Sequence, residues 1–162
     1  MAIAGVAAIL ATALAAKPAL AQLPYIQGTW TLNAAASHLP GPPPQREVRS
    51  YRVGPDGVYV GQAVSIDPDG RPSFLIFAGK LGSRDYPEFD TQTTAQYLAS
   101  GSPPPRTYEE SPTQDDHRVK WVDKAGGRIL ASGEKWVSPD GKTMSLTVDG
   151  TSELYVFDRT GP

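Results

Sequence analysis

From about residue 22 onward, apolar and polar residues alternate in several stretches with a period near two. Across 58–67, Val58, Val60, Val64 and Ile66 share one face, and Tyr59, Gly61, Ala63 and Ser65 share the other. Val119 and Trp121 oppose Arg118 and Lys120. Met144, Leu146 and Val148 alternate with Thr143, Ser145 and Thr147. Successive side chains of an extended chain point to opposite faces, so this period marks strands with one buried and one wet side. Phe74-Leu75-Ile76-Phe77 is apolar on both faces, as in a central strand or a segment under a loop. The pattern predicts strands over 28–33, 46–54, 58–67, 71–81, 93–98, 117–123, 128–138, 142–149 and 152–158. A short extra piece is predicted at 86–90, and no helical period is evident in this part of the chain.

The segments between these strands read as turns. Pro55-Asp56-Gly57, Pro68-Asp69-Gly70 and Pro139-Asp140-Gly141 repeat one tripeptide, and Lys124-Ala125-Gly126-Gly127 is a fourth turn. Pro presets the first turn position, Asp bonds its own backbone, and Gly accepts positive φ. About nine strands joined mostly as hairpins predict an all-β fold, an antiparallel up-and-down β-barrel of about 8–10 strands, because closure removes exposed sheet edges. A two-sheet β-sandwich is the alternative.

Residues 1–16 are apolar and uncharged, and Ala19-Leu20-Ala21 follows Lys17-Pro18. An apolar run before a small-residue site is the pattern of an export signal, here without a basic start. The run is shorter than the roughly 20 apolar residues that span a bilayer. The expected organisation is a signal peptide over 1–21 and one barrel domain over 22–162. The expected location is periplasmic or secreted, with no stable membrane span after cleavage.

Composition narrows the function classes. The net charge is −2 and Lys and Arg are not clustered, which argues against nucleic-acid binding. Absence of Cys excludes disulfides, thiolate metal sites and Cys nucleophiles. Gly126-Gly127 is no phosphate loop, because no helix follows to supply an N-terminal dipole. No cofactor motif and no Gly-x-Ser-x-Gly is present.

Gly28-Thr29-Trp30 opens the first predicted strand. A Gly-x-Trp there is similar to the first motif of the lipocalins. That resemblance implies that Trp30 plugs the closed barrel end and that Arg159, after the last strand, packs across its ring. The chain also resembles uncharacterised exported lipocalin-like (calycin-type) proteins of bacteria. The matching pieces are Gly28–Asn33, Gly41-Pro42-Pro43-Pro44, Arg84-Asp85-Tyr86-Pro87 and the stretch from Val137 to Met144. The resemblance implies a barrel and, loosely, a small apolar ligand.

Candidate chemistry is sparse. His38 falls in the loop after the first strand, and His117 follows Asp115-Asp116 at a strand start. Glu109-Glu110 and Asp115-Asp116 read as an acidic loop. Glu134 points inward with Trp136 in one register of its strand. In the other register Ile129, Ala131 and Val137 point inward and Glu134 is a surface charge. Phe77, Tyr97, Trp121, Trp136 and Tyr155 come from different predicted strands and are the expected walls of a ligand cavity. The long Pro-rich loop 34–45 is the expected lid. A ligand-binding barrel is thus expected. The alternatives are a cavity isomerase or cyclase, with Glu134 or His117 as the acid–base group, and a filled structural module.

Overall fold

The computed structural model describes residues 23–102 and 106–162. The apolar run at 1–16 and the Ala19-Leu20-Ala21 site lie outside the described residues. Ten antiparallel strands form one closed barrel: β1 (Gly28–Leu32), β2 (Arg46–Val53), β3 (Tyr59–Ile66), β4 (Pro72–Gly79), β5 (Gly82–Asp90), β6 (Arg106–Pro112), β7 (Arg118–Ala125), β8 (Arg128–Val137), β9 (Thr143–Thr147) and β10 (Leu154–Gly161). Each strand pairs with its neighbour in sequence, and β1 closes on β10 with Trp30 opposite Arg159. The topology is up-and-down, and the two-sheet sandwich is ruled out. The glycines of all three Pro-Asp-Gly turns adopt positive φ, between 70° and 85°, as the turn chemistry requires.

Two stretches differ from the sequence reading. Residues 93–98 are not a strand but lie in helix α2 (Thr91–Ser100), which spans the β5–β6 connection. Its start is fixed by a reciprocal cap. The Thr93 N–H donates to Asp90 Oδ1 at 2.6 Å, and the Asp90 N–H donates to Thr93 Oγ1 at 2.9 Å. Gly101 follows the helix with φ 68°, the left-handed residue that commonly ends a helix. The second difference is Glu109-Glu110. It lies on β6, not in a loop, and Glu110 is buried.

The face of β3 is also inverted. Tyr59, Gly61 and Ala63 point into the barrel, whereas Val60 and Val64 stand outside at 36% and 42% exposure. The reason is room. Rings from β2, β3 and β4 crowd the interior beside Gly61, with Tyr51 and Tyr59 stacked 5.6 Å apart and Phe77 edge-on to Tyr59 at 5.5 Å. Gly61 makes space for this, since a Cβ there would lie 2.4 Å from Phe77 Cζ. Small residues therefore face in and the β-branched ones face out.

The end of the barrel near helix α1 (Leu23–Ile26) is packed shut. Ile26, Trp30, Val119, Val137 and Met144 are essentially inaccessible there. The Trp30 indole N–H donates to the Ile26 carbonyl at 2.9 Å. The Arg159 guanidinium lies 4.1 Å from the centre of the Trp30 ring and donates to the carbonyls of Tyr25, Gln27 and Gly141. The geometry expected for these two residues is therefore present. Lost burial and lost stacking both penalise removal of Trp30.

Candidate functional site

Above the plug, the interior carries charge. On β8 the inward residues are Ala131, Gly133, Lys135 and Val137, and Ile129 is 60% exposed. Lys135 is therefore inside, and its ammonium is ion-paired with Glu110 of β6. The two side chains are 1% and 3% exposed. Lys135 Nζ also lies 3.0 Å from the Tyr59 hydroxyl and 4.3 Å from the centre of the Tyr51 ring. The Tyr108 hydroxyl donates to Glu110 Oε1 at 2.6 Å. Burial and the Glu110 charge push both the Tyr59 and Tyr108 phenols well above their ordinary range, so both are neutral donors. Glu110 Oε2 is buried with no hydrogen-bond partner. An ion pair taken out of water needs such surrounding donors to offset its desolvation.

Beyond this layer the barrel is hollow. A cavity of about 230 Å³ is walled by Tyr51, Leu75, Phe77, Tyr108, Trp121 and Leu146. Ala131, Val148 and Tyr155 add apolar surface, and Arg49, Glu88 and Asp123 are its charged members. The space opens towards α2, where a neighbouring pocket shares Arg49, Ala63 and Leu75 and extends to Asp90, Thr91 and Gln92. A cavity of about 150 Å³ already accommodates benzene, so this one has room for a somewhat larger molecule.

The charged groups form two sets. Arg49 is committed to Glu47, with Nε 2.8 Å from Oε1, and covers the Phe157 ring. Burial lowers its pKa, but the Glu47 carboxylate more than restores it, so it stays charged. Arg106 of β6 faces three carboxylates: Glu88 at 3.1 Å, Asp90 at 2.5 Å, and Asp123 in direct contact. Asp90 gains from the Thr93 bonds and Arg106, which outweigh its burial and hold it below its usual range. Glu88 fares differently. It is 1% exposed, neither of its oxygens is in hydrogen-bonding geometry with a donor, and it neighbours the Asp123 charge. Burial first, then Asp123, push its carboxyl up to about 7 against the pull of Arg106. Trp121 Nε1 is likewise buried without an acceptor.

Of the five expected wall residues, the structure brings Phe77, Trp121 and Tyr155 together around the cavity. Trp136 does not join them. It lies on the outer face of β8, where the Arg118 guanidinium covers its ring at 4.5 Å and bonds Glu134. Tyr97 falls on α2, not on a strand, and its side chain lies outside the described residues. The proposed acid–base groups are also elsewhere. Glu134 is on the outer face, and His117 packs against Tyr25 at the plugged end with ring centres 3.8 Å apart. No residue of the loop 34–45 lines the cavity. Its first half is fastened to β10 through the His38–Leu154 backbone pair and the Val156 N–H on Ser37 Oγ.

The residues that sequence reasoning missed are Lys135, Glu110, Glu88, Arg106, Asp123 and the tyrosines 51, 59 and 108. One signal for Lys135 was present, because a register with Ala131 and Val137 inward also turns position 135 inward. Among the described residues no cluster of three or more His, Asp or Glu is arranged to hold a metal ion. Among them, too, no helix is long and apolar enough to cross a membrane. Comparison with models of known protein families and with curated proteins finds no match to this chain.

Proposed function

We propose that this barrel binds one small amphipathic molecule in its interior cavity and acts outside the cytoplasm as a carrier or sensor of that molecule. The observation that carries the reading is the division of the interior. One end is filled by Trp30 and its neighbours, while the other holds a cavity of about 230 Å³ with aromatic walls and a few charged groups. Tightly packed interiors rarely leave such a space, and apolar walls with sparse polar groups are the usual make-up of a small-ligand site. Export rests on the apolar run at 1–16 and on Ala19-Leu20-Ala21, with Gln22 as the expected first residue of the exported protein. A binding role is favoured over catalysis because the best-placed amine, Lys135, is ion-paired in the layer beneath the cavity and does not line it.

The test is a cavity-filling substitution. Ala131 lines the cavity on β8 and has little side chain of its own. Ala131→Phe should fill part of the space, leave the fold intact by circular dichroism, and abolish the response of Trp121 fluorescence to small aromatic probes. Retention of that response in folded Ala131→Phe would place the binding elsewhere.

A further inference from the structure

We infer that the cavity's ligand is an organic ammonium ion, a small apolar body carrying one protonated amine held against the Glu88 and Asp123 carboxylates. This rests on the reading of the cavity as a ligand site. Glu88, Asp90 and Asp123 gather around one cation, Arg106. The other nearby cation, Arg49, is committed to Glu47. The set is therefore short of positive charge.

Glu88 is 1% exposed, lines the cavity, and has both oxygens buried without a hydrogen bond. A buried carboxylate is normally paired and hydrogen-bonded. An ammonium group brings the missing charge and three N–H donors. Phe77, Tyr108 and Trp121 line the same cavity, and aromatic faces attract cations. Trp121 Nε1 also has no acceptor, so an oxygen on the ligand's body would find a donor there. An anionic ligand would meet the carboxylates instead, and a wholly apolar one would leave Glu88 unmatched.

Asp123, Arg106 and Asp90 act on the Glu88 charge, and other titratable groups share its cavity. Arg106 and Tyr108 come from β6, Asp123 from β7, and Asp90 from its own strand. Arg49 and Tyr51 of β2 and Tyr155 of β10 lie on the cavity wall, while β4 and α2 carry no charged residue. With its carboxyl raised to about 7, Glu88 is mostly protonated in mild acid and mostly ionised in mild base. An alkylammonium stays protonated across that range.

The experiment titrates the protein with phenethylamine and with its neutral isostere phenethyl alcohol, by calorimetry and Trp fluorescence. The amine should bind roughly tenfold more tightly at about pH 8 than at about pH 5.5, and the alcohol should not change. Glu88→Gln should weaken the amine roughly tenfold at the higher pH and leave the alcohol unaffected. If that variant fails to fold, the wild-type pH comparison decides by itself. Alcohol binding equal to or tighter than amine binding in mild base would overturn the ammonium assignment and leave the cavity as a ligand site. Binding of neither probe would sink the ligand-site reading, and this assignment with it.

Discussion

Lys135 and Glu110 meet inside the barrel as an ion pair whose side chains are 1% and 3% exposed. They come from β8 and β6, with β7 between them. Neither residue is marked by its neighbours in sequence, since Glu110 sits in an acidic run and Lys135 beside Glu134. What makes the pair tolerable is the ring of phenols from Tyr59 and Tyr108 and the face of Tyr51. The pair also sets the floor of the cavity, because Tyr51 and Tyr108 are both held by it and both line the space above.

Breaking one half of that pair should be costly. Lys135→Met alone should destabilise by about 3–5 kcal/mol, since it leaves Glu110 charged and unpaired in the interior. The double variant Lys135→Met with Glu110→Leu should be clearly more stable than the sum of the two single changes predicts. Urea unfolding of all four proteins reads this directly. Additive losses would show that the two residues do not interact energetically.

Glu88 should make stability depend on pH in a particular direction. Its folded-state carboxyl is raised to about 7, above its ordinary value of 4.5. Between those values the folded protein binds more protons than the unfolded chain, so stability falls as pH rises through that window. Glu88→Gln should remove the decline and be more stable than wild type in mild base by about 1–3 kcal/mol. Parallel urea curves at about pH 5 and about pH 8 would reject the assignment if both proteins lost stability equally.

Trp30 is fully buried, bonded to Ile26, and covered by Arg159. Trp30→Ala should cost about 3–5 kcal/mol in urea unfolding. Arg159→Ala should cost less but should still loosen the α1 end, because its guanidinium ties Tyr25, Gln27 and Gly141 together. A Trp30→Ala loss below about 1 kcal/mol would show that the plug contributes little to stability.

Gly133 is the tightest glycine in the barrel. A Cβ there would lie 1.9 Å from the Thr147 carbonyl oxygen and 3.0 Å from the Trp121 ring. The first obstacle is backbone, which a rotamer change cannot relieve. Gly133→Ala should therefore destabilise by about 3 kcal/mol or more, as a strained substitution at a close strand approach. A fully stable Gly133→Ala protein in thermal unfolding would contradict that packing.

An antiparallel, hairpin-linked all-β fold was legible in the chain, with the choice of barrel over sandwich left to the structure. Period-two alternation and the three Pro-Asp-Gly turns specify antiparallel hairpins through local geometry, and most of the strands follow from that. Gly28-Thr29-Trp30 likewise placed the plug correctly. Of the expected wall residues, Phe77, Trp121 and Tyr155 line the cavity from β4, β7 and β10. The tertiary structure alone decided which face of a weakly alternating strand turns in. A Cβ at Gly61 would strike the Phe77 ring, so Gly61 faces in beside the Tyr51, Tyr59 and Phe77 rings and Ala63 follows it onto the cavity wall, while Val60 and Val64 go outside. On β8 the register turns Trp136 out and Lys135 in. Whether a buried charge is acceptable depends on partners from other strands, here Glu110 and Tyr59 for Lys135. Glu110 and Tyr59 lie 25 and 76 residues from Lys135 in the chain, and only the folded barrel brings all three within bonding distance.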